Sequence, residues 1–300
     1  MMQNACDHQD IWTRCSGLMA SLARSSIPTL GGRHFWRDVA VGHEHRIQQH
    51  VWTTHHRLLD RHDRRVASGS LEACRTTARL RFPHRTASNG TLIVMLHGLY
   101  RSRHSVHRLE RQVNDAGWST MAPNYPSGHA TIAELGQWLN EFMAGIVGYD
   151  RVIFITYSLG GLVLRSAFAH GTDWMARMSV AGIVQIGTPN RGAQMAGLIR
   201  TLPPGNRISG PAARELCEPL DLPEPPPDIP VLVIAGGTSG HWGFNPILEG
   251  DNDGVVRVAE TRLDRDHDFE LIPTLHGLLI GHPHTELSVR SALATWGMND

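Results

Sequence analysis

At 300 residues the chain is long enough to bury a sizeable core, and its length favours one large folded unit, with or without an appendage. Lys plus Arg and Asp plus Glu both number 28, so no net field draws it to nucleic acid or an anionic membrane, and a small-molecule partner is expected. Cys6, Cys15, Cys74 and Cys217 lie far apart with no CxxC pair, which argues against a structural zinc site and a dense disulfide framework.

The N-terminus MMQNACDHQD lacks a basic start followed by an apolar run, so no signal peptide is expected. The longest apolar stretch, 152–164, is broken by Ser158, Gly160 and Gly161, so no membrane-spanning helix is expected and cytoplasmic residence is the default. Residues 1–85 are rich in Arg and His without a strand-helix alternation. They are expected to form a mostly helical N-terminal extension packing on the core, with a helix from about Phe35 to Leu59. His43, His45, His50, His55, His56 and His62 read as a solvated face of that helix. No HExxH accompanies them, and no metal is expected.

From Thr91 the pattern changes, and 86–300 is expected to be an α/β domain with a mostly parallel central sheet flanked by helices. TLIVML (91–96) reads as a buried strand. Val106, Leu109 and Val113 recur at helical spacing before Gly117. Thr131 and Glu134 form a capping-box pattern ahead of Leu135, Leu139 and Phe142. RVIFIT (151–156) is a strand, LGGLVLRSAFA (159–169) a helix, and GIVQI (182–186), VLVIAG (231–236) and FELI (269–272) are strands. A last helix lies near Glu286 to Trp296. Between them, Pro223, Pro225, Pro226, Pro227 and Pro230 mark 220–230 as an extended connector, and a cap or lid is expected within 195–230.

The sharpest local signal is Thr156-Tyr157-Ser158-Leu159-Gly160-Gly161 between an apolar strand and an apolar helix. It has the form of a nucleophile elbow, with Thr156 where a small residue is usual. His97-Gly98-Leu99 follows the strand 91–96. The backbone amides of Leu99 and Leu159 are the candidate oxyanion donors, with Gly98 and Gly160 permitting the tight approach and His97 holding the loop. A serine needs a base and an orienting acid. The loop after 231–236 offers Asp253, with Asp251 as the alternative, whether as loop-shaping side chain or Ca²⁺ ligand. The loop after 269–272 offers His276, while His282 and His284 stand further on beside the last helix. Tyr100, Tyr157, Trp242 and Phe244 are candidate substrate contacts.

With these segments in view, 91–296 resembles bacterial lipases and esterases of the α/β-hydrolase superfamily. The resemblance rests on LIVMLHGL (92–99), TYSLGGLVLR (156–165), IGTPNRGAQ (186–194), GFNPILEGDNDGVVRVAETRL (243–263) and IPTLHGLLIGHP (272–283). It implies the α/β-hydrolase fold, an ester or lipid-like substrate, Ser158 as nucleophile, His276 as base and Asp253, standing before Gly-Val-Val, as acid. It also implies that GTPNRG helps build the site floor, and no metal or organic cofactor is implied. LGGRHFWRDV (30–39) and RLLDRHD (57–63) resemble an N-terminal region of uncharacterised members of this group. The same triad would also serve an acyltransferase, thioesterase or amidase, and a catalytically silent binding protein is the reading from another class. Oligomeric state is left open.

Overall fold

The computed structural model describes residues 34–82, 90–195, 210–217 and 220–297, together with the backbone of Ile27–Pro28. The chain divides into two compact units, one including residues 39–85 and the other joining 33–38 to 86–300.

In the first unit the expected helix is absent. Five antiparallel strands, β1 (Ile27–Pro28), β2 (Trp36–Val41), β3 (His45–His50), β4 (His56–Asp60) and β5 (Arg64–Gly69), take the order β1-β5-β4-β3-β2, and helix α1 (Leu71–Arg81) follows. The physical reason lies in the turns. Thr54 and Asp63 adopt φ of 53° and 59°, left-handed values that a continuous helix cannot contain. The Asp60 carboxylate accepts from the amides of His62 and Arg64, both at 2.9 Å, and closes the β4–β5 hairpin. Ile47 then pairs with Leu58 across β3 and β4, and with Val66, Cys74 and Ala78 they form this unit's core. Consequently the histidines share no helical face: His45, His50 and His56 lie in strands, and His43, His55 and His62 in turns.

The second unit holds the larger sheet. Strands β6 (Thr91–Leu96), β7 (Ser119–Met121), β8 (Arg151–Tyr157), β9 (Ser179–Ile186), β10 (Val231–Gly237) and β11 (Asp268–Pro273) are parallel in the order β11-β10-β9-β8-β6-β7. The helices are α2 (His107–Asp115), α3 (Ile132–Ala144), α4 (Leu159–Ala169), α5 (Pro211–Glu215), α6 (Val258–Thr261), α7 (His276–Leu279) and α8 (Pro283–Gly297). Thr131 and Glu134 make the capping box on α3.

One sheet face buries Ile93, Met95, Ile153, Ile155, Val184 and Ile234 against α2, α7 and α8. Residues of opposite parity face the other way. There Phe154 meets Trp174 edge-on, and the Trp174 indole donates to Asn140 of α3 at 2.9 Å. Burial on both faces is why these strands read as continuous apolar runs. A parallel sheet whose order reverses beside β6 opens a crevice at the strands' carboxyl ends, and the loops after β6 and β8 both reach it.

Phe154 is fully buried at the centre of that sheet. Phe154→Ala is expected to destabilise the protein by about 3–5 kcal/mol through lost burial and a cavity against Trp174, measured as a lowered urea midpoint. A midpoint unchanged from wild type would place the residue outside the load of the core.

Candidate active site

Ser158 sits at the junction of β8 and α4 with φ 53° and ψ −120°, a strained conformation for a residue with a side chain. Its amide donates to the Ile186 carbonyl at 2.8 Å. The helix that follows lies so close to β6 that a Cβ on Gly160 would stand 2.6 Å from the Leu96 carbonyl oxygen, and one on Gly161 would collide with the Thr188 side chain. Thr156 is accommodated despite its branch: it is fully buried and its hydroxyl donates to the Val184 carbonyl of β9 at 3.2 Å.

Three expected side chains meet. His276 Nδ1 lies 2.6 Å from Asp253 Oδ2, and Nε2 lies 3.1 Å from Ser158 Oγ. A carboxylate can only accept, so the proton belongs on Nδ1 and the Nε2 lone pair faces the serine hydroxyl. Asp253 is 1 % exposed, and its other oxygen accepts from the amides of Val255 at 3.0 Å and Val256 at 2.8 Å. The His276 amide in turn donates to the Asp253 carbonyl at 2.9 Å. Asp251 is occupied elsewhere: it accepts from the amides of Thr238 at 2.7 Å and Ser239 at 3.0 Å, shaping the start of its loop. His282 and His284 lie at the entry to α8, their rings 5.3 Å apart.

The loop after β6 is held from within the core. The Tyr125 amide donates to His97 Nε2 at 3.3 Å, which leaves the imidazole proton on Nδ1, donated to the Gly98 carbonyl at 3.0 Å. The Tyr125 ring stacks on His97 at 3.8 Å, and its hydroxyl donates to the His97 carbonyl. Desolvation outweighs the Gly98 acceptor and pushes the His97 pKa down to about 4. Tyr125 follows Asn124, whose amide donates to the Asp38 carboxylate at 2.8 Å, so Asp38 contributes to the support of this loop. A Cβ on Gly98 would stand 3.2 Å from Ser158 Cβ, which is how the loop closes on the elbow. Among the described residues neither the Leu99 nor the Leu159 amide finds an acceptor, and Leu159 opens α4, where a first-turn N–H has none within the helix.

The expected substrate contacts divide. Tyr100, Trp242 and Phe244 are exposed, Trp242 most of all at 73 %. The Tyr100 hydroxyl accepts from the Gly210 amide at 2.8 Å. Tyr157 is instead buried, its ring stacked on His276 at 5.3 Å and its hydroxyl donating to the His276 carbonyl at 3.0 Å. It braces the histidine from behind. Burial pushes its pKa up to about 12, so the hydroxyl remains a donor.

Arg165 went unremarked in the sequence, though a lone cation in the buried helix LGGLVLRSAFA is itself a signal. It donates to the carbonyls of Pro223 at 2.9 Å, Leu222 at 2.6 Å and Asn190 at 2.7 Å, and pairs with Glu224 at 3.3 Å. Arg265 likewise donates to the carbonyls of Pro225, Pro226 and Pro227. Prolines bring no N–H of their own, so the connector's carbonyls are held by two guanidinium groups. Asn190 of the GTPNRG segment also donates to Gln185 at 2.6 Å, and Gly187 at φ 60° passes just beneath the His276 ring. Of the expected lid within 195–230, residues 196–209 and 218–219 lie outside the described residues; α5 and the connector carry the rest.

His97 gives the site a pH signature. An unfolded histidine titrates near 6.5, so between about 6.5 and about 4 the unfolded chain takes up a proton that the folded one refuses. Stability contributed by this group therefore falls as pH drops through that window, by about 3 kcal/mol in all. His97→Asn lacks the dependence, and the stability gap between wild type and variant should narrow by about that much from pH 7 to pH 4 in urea titrations. Parallel stability curves for the two proteins would contradict a neutral buried His97.

No protein-family model and no curated protein matches the sequence. Solved structures do match. The chain is similar to the mature lipase BlEst2 of Bacillus licheniformis, at 20% identity and TM-score 0.55 over 73% of this chain and 95% of that one. It is also similar to the lin2722 gene product of Listeria innocua, at 16% identity and TM-score 0.51 over 71% and 97%. A third is the phospholipase PlaB of Legionella pneumophila, at 15% identity and TM-score 0.53 over 70% of this chain and 61% of that one. Six parallel strands in this order, flanked by helices, together with these structural likenesses, give the second unit the α/β-hydrolase fold.

Proposed function

We propose that the protein is a serine hydrolase that cleaves carboxylic esters through an acyl-enzyme on Ser158. The observation that carries this reading is the continuous hydrogen-bonded path from Asp253 through His276 to Ser158. His276 takes the Ser158 proton as the oxygen attacks the ester carbonyl, and Asp253 keeps the imidazole in the competent tautomer and stabilises the imidazolium. The amides of Leu99 and Leu159 receive the charge that develops on the carbonyl oxygen. His276 then returns the proton to the departing alcohol, and the same sequence with water releases the acid.

Exposed apolar side chains support an apolar or lipid-like substrate. Trp242, Phe244, Ile247 and Val255 stand on the loop after β10, and Leu275 and Leu278 follow β11. The similar structures named lipase and phospholipase agree with that substrate class.

The test is labelling by a fluorophosphonate together with turnover of p-nitrophenyl esters of increasing chain length. Wild type should label and turn over; Ser158→Ala should do neither, with kcat down about 10⁶-fold. Asp253→Asn should lose about 10⁴-fold while folding normally, because the amide can donate to Nδ1 and reverse the tautomer. Asp251→Asn should lower stability and leave kcat within a few-fold. Unlabelled but folded wild type, or equal kcat losses for the two aspartate variants, would count against the mechanism.

A further inference from the structure

Within the ester-hydrolase reading above, we infer that Arg101 is a specificity residue: it receives a carboxylate or phosphate carried by the substrate a few atoms from its scissile carbonyl. Arg101 ends the turn that presents the Leu99 amide, its own amide donating to the Gly98 carbonyl at 3.2 Å. Tyr100, between them, holds φ 52°, so the turn is fixed in an uncommon conformation by the ring packed over Gly128 and the hydroxyl bonded to Gly210. The guanidinium therefore starts from a defined point beside the candidate oxyanion site.

The Arg101 side chain is exposed, and among the described residues it has no hydrogen-bond or ion-pair partner. On the loop after β10 the two buried-side acids are committed, while Glu249 stands exposed and makes no ion pair with Arg101. Asp253 serves His276, Val255 and Val256, and Asp251 serves Thr238 and Ser239. On α2, Glu110 pairs with His107, and Asp115 closes the helix at its other end. Arg101 nevertheless acts on the site, since its charge opposes the burial that raises Tyr157, whose hydroxyl touches the His276 carbonyl. A guanidinium with five free donors and no acid paired to it among the described residues is matched by a planar carboxylate or a phosphate, which it can hold through two parallel hydrogen bonds. Arg108 and Arg111 are also exposed but lie on α2, outside the turn, and serve as controls for a diffuse positive field.

Two matched substrate pairs test this, one for each side of the ester bond. p-Nitrophenyl adipate monoester against p-nitrophenyl hexanoate places the anion in the acyl part, and butyryl glycerophosphate against monobutyrin places it in the alcohol part. The quantity read is the ratio of kcat/KM for the anionic over the neutral member, in wild type, Arg101→Gln and Arg111→Gln. Arg101→Gln should lower the ratio about tenfold in at least one pair, the size expected of a partly solvated charge-assisted contact, and the pair that responds identifies the side. Arg111→Gln should leave both ratios within twofold of wild type.

Turnover of the neutral esters with ratios unchanged by Arg101→Gln overturns this inference and leaves the hydrolase reading standing. An equal fall in Arg111→Gln also overturns it, in favour of a general field. No turnover of any of the four esters by wild type overturns the hydrolase reading, and this inference with it.

Discussion

Asp253 carries a charge into a position almost closed to water, and much of the second unit's upper end can be understood as the answer to that one desolvated carboxylate. Removing such a group from water costs several kcal/mol unless its lone pairs are taken. They are taken by His276 and by the amides of Val255 and Val256. Those amides point inward because the loop folds back on itself: Asn252 bridges to Arg257, its side chain accepts from the amides of Asn245 and Gly254, and it donates to the Asn245 and Gly250 carbonyls. In the proposed mechanism Asp253 stabilises an imidazolium, which is most effective in a poor dielectric, and the surrounding loop is the structural counterpart of that requirement.

The second demand is closeness. A serine on one strand's end and two amide donors on two different loops can converge only where backbones nearly touch. Glycine supplies this at Gly98 against Ser158, at Gly160 against Leu96, and at Gly236, where a Cβ would stand 2.7 Å from Asp253 Cβ. The first two contacts join β6 to β8 and the third sets Asp253 against β10, while His276 arrives on the loop after β11. Stacked His97 and Tyr125 do for the β6 loop what the asparagine network does for the β10 loop, using apolar burial and a neutral imidazole in place of charge.

Much of this was legible in the residues because strands buried on both faces and helices with one apolar stripe leave different patterns, and β6, β8, α3 and α4 fall where those patterns put them. Residues 36–69 were not, because their strands are short, rich in Arg and His, and defined by partners across turns. Ile47 and Leu58 become neighbours only once Thr54 has reversed the chain, a geometry that spacing along the sequence does not encode. At the site, the positions of Ser158 and His276 follow from strand ends and loop order. The choice between Asp253 and Asp251 depends on which carboxylate the loop turns inward, and the bracing roles of Tyr157, Tyr125 and Arg165 depend on contacts distant in the chain.

Ser158 holds a backbone conformation that a glycine would adopt freely, in the turn between β8 and α4. Under the proposed mechanism, reactivity and resilience are therefore opposed at a single residue. Substituting glycine there would relax the strain while abolishing the hydroxyl, so the hardiest form of this chain is expected to be one that can no longer react.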